Sequence, residues 1–146
     1  ARPLSTTEDL VDAVRRAMPT GTRPGQVHPA TKVFQALRIA VNDELGVLPR
    51  AIIAAINGLA VGGRIVVMSY HSLEDRVVKR IFTEGGGKSI ASDGWTVTDV
   101  PKVLDLVTRK GTSPTDTEQR VNPRSRSAKL RIAERIATGM LHGTGV

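Results

Sequence analysis

The stretch Gly62-Gly63-Arg64-Ile65-Val66-Val67-Met68-Ser69-Tyr70-His71-Ser72-Leu73-Glu74-Asp75-Arg76-Val77-Val78-Lys79 decides how the rest of the chain is organised. A glycine pair leads into the apolar run 65–68. Such a short, unalternating run is typical of a strand buried on both faces in a parallel sheet. Ser72 and Asp75 have the spacing of a capping box, which predicts that a helix begins there. The stretch therefore predicts a strand, a polar loop and a helix, and ligands bind at such loops in open α/β sheets.

Charge and composition narrow the classes of function. Lys and Arg number 21 against 14 Asp and Glu, a formal net charge of +7 that favours a polyanionic partner, nucleic acid first. The sequence has no cysteine and no membrane-spanning stretch, so we expect a cytoplasmic protein without disulfides, thiolate metal sites or a membrane partner. One Trp, one Tyr and two Phe argue against a protein that stacks successive bases on a row of aromatic side chains.

Helical periodicity predicts three helices before the strand. Thr6 or Thr7 can cap the first, which Pro19 ends. Pro29 suits the first turn of the second, which runs to about residue 45, and Pro49 opens the third over residues 50–60.

Fewer strands are predicted after this point than a complete sheet requires. A helix over residues 73–83 should bury Leu73, Val77 and Ile81, and residues 84–94 should form a loop. Residues 102–110 and 129–133 alternate as strands do, around a short helical turn at 114–118. One buried strand of the parallel type and two later strands do not make a sheet that is covered on both faces. The chain is therefore predicted to be half of a doubly wound domain.

Two apparent chemical motifs fail on inspection. Gly85-Gly86-Gly87-Lys88-Ser89 imitates a phosphate-binding loop, but it follows a helix, and Phe82 stands where the first glycine is required. The three histidines lack metal-ligand spacing, so no metal is predicted.

His71 has two interpretations of nearly equal weight. It can accept a proton or hydrogen-bond a ligand at the carboxyl end of a central strand, or it can order the loop between strand and helix. Arg76 and Lys79 can contact phosphate, although an ordinary solvated helix face is the commoner case.

The run Asn122-Pro123-Arg124-Ser125-Arg126-Ser127-Ala128-Lys129-Leu130-Arg131 holds four cations and no acid in ten residues. Such a set can hold a nucleic-acid backbone through charge-assisted contacts. The alternative is a surface loop entering an edge strand, where positive charge discourages aggregation. The net charge favours the nucleic-acid interpretation.

Four motifs, in this order, resemble those of one family. They are His28-Pro29-Ala30-Thr31-Lys32-Val33-Phe34-Gln35-Ala36-Leu37-Arg38-Ile39, Asn42-Asp43-Glu44-Leu45, Ser69-Tyr70-His71-Ser72-Leu73-Glu74-Asp75-Arg76, and the basic run at residues 122–131. The chain resembles the carboxyl-terminal part of the 16S rRNA cytosine-N4 methyltransferase (RsmH, or MraW) family. Lys32 and Tyr70 stand where that family usually has Arg and Phe.

The resemblance implies a fold and a reaction. Residues 1–26 would end a helical insertion domain, and residues 27–146 would form the carboxyl-terminal half of a Rossmann-like class I methyltransferase domain of α/β class. The family transfers a methyl group from S-adenosylmethionine to the N4 amine of a cytosine in the decoding centre of the small ribosomal subunit. No cofactor-binding residue is expected here, since no glycine-rich turn follows a strand and opens a helix. A non-catalytic RNA- or ribosome-binding module on the same scaffold is the alternative.

The resulting candidate residues fall into two sets. His71 and Ser72 are the catalytic candidates. The RNA-binding candidates are Lys32, Gln35, Arg38, Arg76, Lys79, Arg124, Arg126, Lys129 and Arg131.

Overall fold

The structure of the protein, a computed structural model, describes residues 3–18, 28–91 and 95–142. The chain divides into two units, Ala1–Glu44 and Leu45–Val146. In the described ranges, no helix is long and apolar enough to cross a membrane. The predicted helix end at Pro19 lies outside the described residues.

The first unit contains two helices, α1 (Thr7–Ala17) and α2 (Pro29–Asn42). α1 begins at a capping box, in which Thr6 Oγ1 accepts from the Asp9 N–H at 3.1 Å and Asp9 Oδ2 accepts from the Thr6 N–H at 3.0 Å. Of the two predicted caps, Thr6 and Thr7, the structure therefore has Thr6. The helix buries Val14. The prediction that residues 1–26 end an insertion domain stays a prediction.

α2 ends earlier than the periodicity predicted. Asp43 adopts a left-handed conformation with φ +48°, and its N–H donates to the Ile39 carbonyl. This conformation ends a helix, so the predicted continuation to residue 45 is wrong. A new helix, α3 (Glu44–Gly58), begins at the next residue, and Pro49 is buried inside it rather than at its start. The missing N–H of Pro49 removes one intrahelical hydrogen bond without ending the helix.

The second unit is built on a three-stranded sheet. Its elements in chain order, after α3, are β1 (Arg64–Ser69), α4 (Ser72–Gly85), β2 (Lys88–Ile90), β3 (Val97–Asp99), β4 (Leu104–Leu106), α5 (Asp116–Val121), a 3-10 helix (Pro123–Ser127) and β5 (Lys129–Arg135). The strand order in the sheet is β1-β5-β4, and β5 is antiparallel to both neighbours.

β1 is not buried on both faces, as its apolar run had predicted. Ile65 and Val67 are partly buried against the core, whereas Val66 and Met68 are 58% and 54% exposed. The strand also pairs antiparallel to β5, with Val67 opposite Arg131, and not in a parallel ladder. The error arises because helices of the described chain cover only one face of the sheet.

The core lies between that covered face and helices α3 and α4. Ile56, Val78, Leu104 and Ala133 are each at most 1% exposed. The predicted inward face of α4 needs correction, since Leu73 is 39% exposed and Val77 only partly buried. The true face, which follows the 3.6-residue period, is Asp75, Val78, Ile81, Phe82 and Gly85.

Residues 84–94 are not the predicted loop throughout. β2 and β3 form an antiparallel hairpin, with Ser89 opposite Thr98, and Gly87 makes the turn into it with φ +99°. The strand predicted over residues 102–110 is confined to Leu104–Leu106, whereas the strand predicted at 129–133 is confirmed and runs to Arg135.

Two arginines of β5 face the core. Arg131 is 6% exposed and Arg135 is 5% exposed, with Ala133 between them. The Arg135 guanidinium donates to four carbonyl oxygens, those of Ile56, Ala137, Thr138 and Gly139. Its burial is thereby compensated at the end of α3, where helix carbonyls lack intrahelical partners.

Candidate functional site

The polar loop after β1 is held by the start of α4. His71 is the N-cap residue, and its Nδ1 accepts from the Glu74 N–H at 3.3 Å. Glu74 Oε2 accepts in return from the N–H groups of Tyr70 at 3.0 Å and His71 at 3.4 Å. This capping box fixes the start of α4 close to the carboxyl end of β1. It supports the interpretation that His71 orders the loop between them.

The second ring nitrogen of His71 remains unused. Since Nδ1 accepts a hydrogen bond, the neutral ring carries its proton on Nε2. Nε2 is buried and lies 3.0 Å from Glu74 Oε1, but it has no partner with hydrogen-bonding geometry among the described residues. The imidazole thus combines one structural contact with one buried donor that is not satisfied.

The predicted capping residues lie one position too far along the chain. Ser72 is the exposed first residue of α4 and not its cap, and Glu74 takes the part assigned to Asp75. A histidine can replace Ser or Asp at this position because a ring nitrogen offers the same acceptor.

Asp75 forms a buried pair with Arg131. Arg131 Nε and Nη2 donate to the two carboxylate oxygens at 2.8 and 2.9 Å, and the side chains are 21% and 7% exposed. The Arg131 hydrogen bonds hold the pKa of Asp75 below its usual value of 3.8, although burial alone would raise it. The placement does not support a phosphate contact by Arg131, because its guanidinium is already occupied inside the protein.

Two other cations of the basic run, Arg124 and Arg126, lie on a tight turn that begins at Asn122. Asn122 Oδ1 accepts from the Arg124 N–H at 3.3 Å, and the buried Ser125 hydroxyl donates to the Asn122 carbonyl at 2.8 Å. Arg124 and Arg126 are exposed, whereas Lys129 is half-buried and donates to Ser113 Oγ. Two arginines of the run are therefore presented to solvent.

This turn and the end of β1 border one cleft of about 230 Å³. Its polar lining consists of Tyr70, Thr112, Ser113, Glu118, Asn122 and Ser125. Its apolar lining consists of Met68, Pro114, Ala128 and Leu130. The fold thus brings together the loop after β1 and the Asn122 turn, which are more than fifty residues apart in sequence.

The remaining predicted residues lie on two helices. Lys32 and Arg38 are exposed on α2 and Gln35 is half-buried there, with Arg38 hydrogen-bonded to both oxygens of Glu44 at 2.8 and 3.0 Å. In the second unit, Arg76 and Lys79 are exposed on α4.

The described residues do not fit a binding site for S-adenosylmethionine. A cradle of that kind needs backbone N–H groups freed by glycines between a strand and a helix. The β1–α4 connection, Tyr70-His71, contains no glycine, and its two N–H groups are bound to Glu74.

Sequence reasoning missed the lining residues of the cleft. In the sequence, Tyr70 is only a departure from a family motif, and Met68 belongs to an apolar run that predicts a buried strand. A usable signal was present in the two-residue period of β1, which places Met68 and Tyr70 on the face opposite Val67 and Ser69. Glu118 carried no such signal.

Comparison with known proteins gives consistent matches. Residues 1–136 match the family described as the MraW methylase family. Proteins described as ribosomal RNA small subunit methyltransferase H are 47% identical over 137 residues in Heliobacterium mobile and 51% identical over 135 residues in Thermobifida fusca. These matches cover 92% and 91% of this chain, but 44% and 41% of the relatives. The chain therefore spans about two fifths of the length of these relatives, in their carboxyl-terminal part.

Proposed function

Because the chain belongs to the MraW methylase family, we propose that it forms the RNA-facing part of a cytoplasmic methyltransferase that modifies small-subunit ribosomal RNA. The acceptor is the N4 amine of a cytosine in the decoding centre of 16S rRNA, and S-adenosylmethionine supplies the methyl group. The residues that hold this cofactor lie outside the 146 residues of this chain.

The proposal is carried by the cleft between the loop after β1 and the Asn122 turn. Two of the motifs that resemble the methyltransferase family meet there, and Arg124 and Arg126 are exposed beside it. A concave, partly apolar surface next to a turn that carries exposed cations suits a single-stranded nucleic acid, since the backbone is held by charge and the bases by apolar surface.

The sheet supports a Rossmann-like domain to which this chain contributes one half. β1 ends the order β1-β5-β4, so its second edge has no partner strand in the described part of the chain. Val66, which does not line the cleft, is 58% exposed on the open face. A sheet with a free edge and an exposed apolar residue beside it is incomplete, so we infer that further strands pair with the edge of β1 and that further elements cover Val66, leaving the cleft open.

The chemistry requires a group that orients the target amine. The lone pair of a cytosine amine is delocalised into the ring, so the amine must be positioned and must lose a proton, and the base must first leave its stack. His71 and Ser72, at the carboxyl end of β1, are the candidates for this task. The buried Nε2 of His71 supports the assignment, since it lies 3.0 Å from Glu74 Oε1 but has no partner with hydrogen-bonding geometry among the described residues.

A non-catalytic RNA-binding module remains the alternative. It is favoured by one observation, namely that the described residues form no cofactor cradle. The two functions differ in methyl transfer and not in RNA binding.

The test is transfer of labelled methyl groups from S-adenosylmethionine to small ribosomal subunits, with product nucleosides identified by mass spectrometry. We expect N4-methylcytidine with the natural polypeptide that contains this chain. We expect no saturable S-adenosylmethionine binding by the 146 residues alone in calorimetry. RNA binding by the natural polypeptide without methyl transfer would establish the alternative, whereas methyl transfer to another base would refute the proposed substrate.

A further inference from the structure

The proposed function assigns the cleft beside Tyr70 to RNA but not to a particular part of the RNA. We propose that it holds one unstacked nucleobase bearing an exocyclic amine, next to the methylated cytosine in the RNA, and that Glu118 recognises this amine. The inference rests on the proposed function for the identity of the RNA. It adds a second base site, which would contribute to the choice of substrate.

Tyr70 and His71 lie on opposite sides of the sheet. Tyr70 lines the cleft with Met68 and Leu130, on the open face. His71 caps α4, which packs against the opposite face. A base stacked on Tyr70 therefore lies on the other side of the sheet from the helix that His71 caps. The base in the cleft is therefore a neighbour of the one at His71.

The size and surface of the cleft suit a single base. Its volume of about 230 Å³ is below the roughly 300–1,000 Å³ of pockets that bind drug-sized ligands. Tyr70, the only tyrosine, is 55% exposed, and Met68 beside it is 54% exposed. An aromatic ring presented in this way is a stacking platform for any base.

Glu118 gives the cleft its chemical preference. Its backbone N–H binds Thr115 Oγ1 at 3.2 Å, but its carboxylate has no hydrogen-bond or ion-pair partner in the described ranges. A carboxylate accepts from an exocyclic amine, as in cytosine, and repels the O4 acceptor of uracil. Asn122 adds a donor, because its Oδ1 accepts from the Arg124 N–H and its NH₂ group has no partner there.

The surrounding charge allows an acid to face RNA. Arg124 and Arg126 are exposed on the turn that begins at Asn122, and Lys129 donates to Ser113 on the wall of the cleft. These cations offset the repulsion between the Glu118 carboxylate and the phosphates of a bound strand. Glu118 can therefore select a base without preventing RNA from binding.

The experiment compares two labelled RNA oligomers, an oligouridylate and the same oligomer with one central cytidine, by fluorescence anisotropy on the full 146-residue chain. The wild-type chain should bind the cytidine oligomer about tenfold more tightly, as expected for a hydrogen bond to a charged acceptor. Glu118→Gln should abolish this preference, because an amide can accept from cytosine or donate to uracil. Tyr70→Ala should weaken both oligomers by about five- to hundredfold.

The matched control is Asp116→Asn, which removes the same charge from the same helix at an exposed residue that does not line the cleft. It should keep the preference for cytidine. Equal binding of both oligomers by the wild type, or a preference that survives Glu118→Gln in a chain with unchanged circular dichroism, overturns the inference. A preference for cytidine in a polypeptide that transfers no methyl group would leave the inference standing and refute the proposed function. Methyl transfer without a preference for cytidine would refute the inference and leave the proposed function standing.

Discussion

Arg131 binds both carboxylate oxygens of Asp75, at 2.8 and 2.9 Å, and so connects the middle strand of the sheet to the first turn of α4. The adjoining loop Tyr70-His71 is held to the same turn by the His71–Glu74 capping box. Two independent contacts thus fix the loop at the carboxyl end of β1. A binding group that such contacts support is already in position before the ligand arrives, so the loop does not have to become ordered on binding.

Asp75→Asn should make the chain less stable at neutral pH and less sensitive to acid. Because the pKa of Asp75 in the folded state lies below 3.8, the pair contributes fully above about pH 4 and is lost as pH falls through the lowered pKa. The difference in melting temperature between wild type and Asp75→Asn, followed by circular dichroism, should therefore narrow as the pH falls below about 4 and through the lowered pKa of Asp75.

Asp105→Asn provides the control for this prediction. The pKa of Asp105 is also lowered, by the hydrogen bond from Lys102, but the pair is exposed and should contribute little to stability. Asp75→Asn should cost more than about 1 kcal/mol of unfolding free energy at neutral pH, up to the roughly 3–5 kcal/mol of a fully buried pair. Equal effects of the two substitutions would show that the Asp75–Arg131 pair is not a stabilising link.

His71→Ala and His71→Asn should separate the two roles of the imidazole. Alanine removes the cap and should cost about 0.5–2 kcal/mol of unfolding free energy, whereas Asn, a good capping residue, should restore most of it. If His71 orients or deprotonates the amine, single-turnover methylation by the natural polypeptide should stay reduced in His71→Asn, by about 10²–10⁴-fold. Full turnover with Asn would leave His71 only its loop-ordering role.

The order of elements was largely predictable from the sequence, but the inward faces were not. In β5 the large apolar residues of the alternating pattern are Leu130 and Ile132, yet the structure buries Arg131, Ala133 and Arg135. A guanidinium is buried only where specific acceptors wait, here the Asp75 carboxylate and four carbonyls around Arg135. Those acceptors lie outside the strand itself, so the alternation within it could not reveal them.

The candidate site was predictable in its location and not in its composition. The strand-loop-helix pattern placed it at Ser69–Ser72, and the basic run placed cations nearby. That residues 112–118 fold over the exposed face of β1 depends on tertiary packing, so Glu118 could not be found. On the opposite face, the packing of α4 gives Arg131 an internal partner, Asp75, in place of the predicted surface contact.

Arg124→Ala and Arg126→Ala should each weaken RNA binding without slowing the chemical step. Both side chains are exposed beside the cleft, and removing one cation that binds a phosphate should lower the slope of log affinity against log salt by about one. Binding titrations at several salt concentrations measure this. Lys102→Ala removes one positive charge elsewhere and is the control; a similar decrease in slope for that variant would show that net charge, and not a direct phosphate interaction, is responsible.

The open face of the sheet should bind a hydrophobic dye in the isolated chain. Val66 and Val78 offer a matched pair on the two sides of the sheet, since they are 58% and 1% exposed. Val66→Thr keeps a β-branched side chain in the strand, so it should reduce dye fluorescence without lowering the melting temperature.

The same substitution at Val78 places a hydroxyl in the core. It should lower the melting temperature, because an unpaired buried hydroxyl costs about 1–3 kcal/mol, and should increase dye binding through partial unfolding. Opposite changes in dye fluorescence for one chemical substitution would assign the dye to the open face of β1 and not to a loosened core. A sharp melt of the wild type with no dye signal would instead mean that this face is covered, and the inference that further strands pack there would fail.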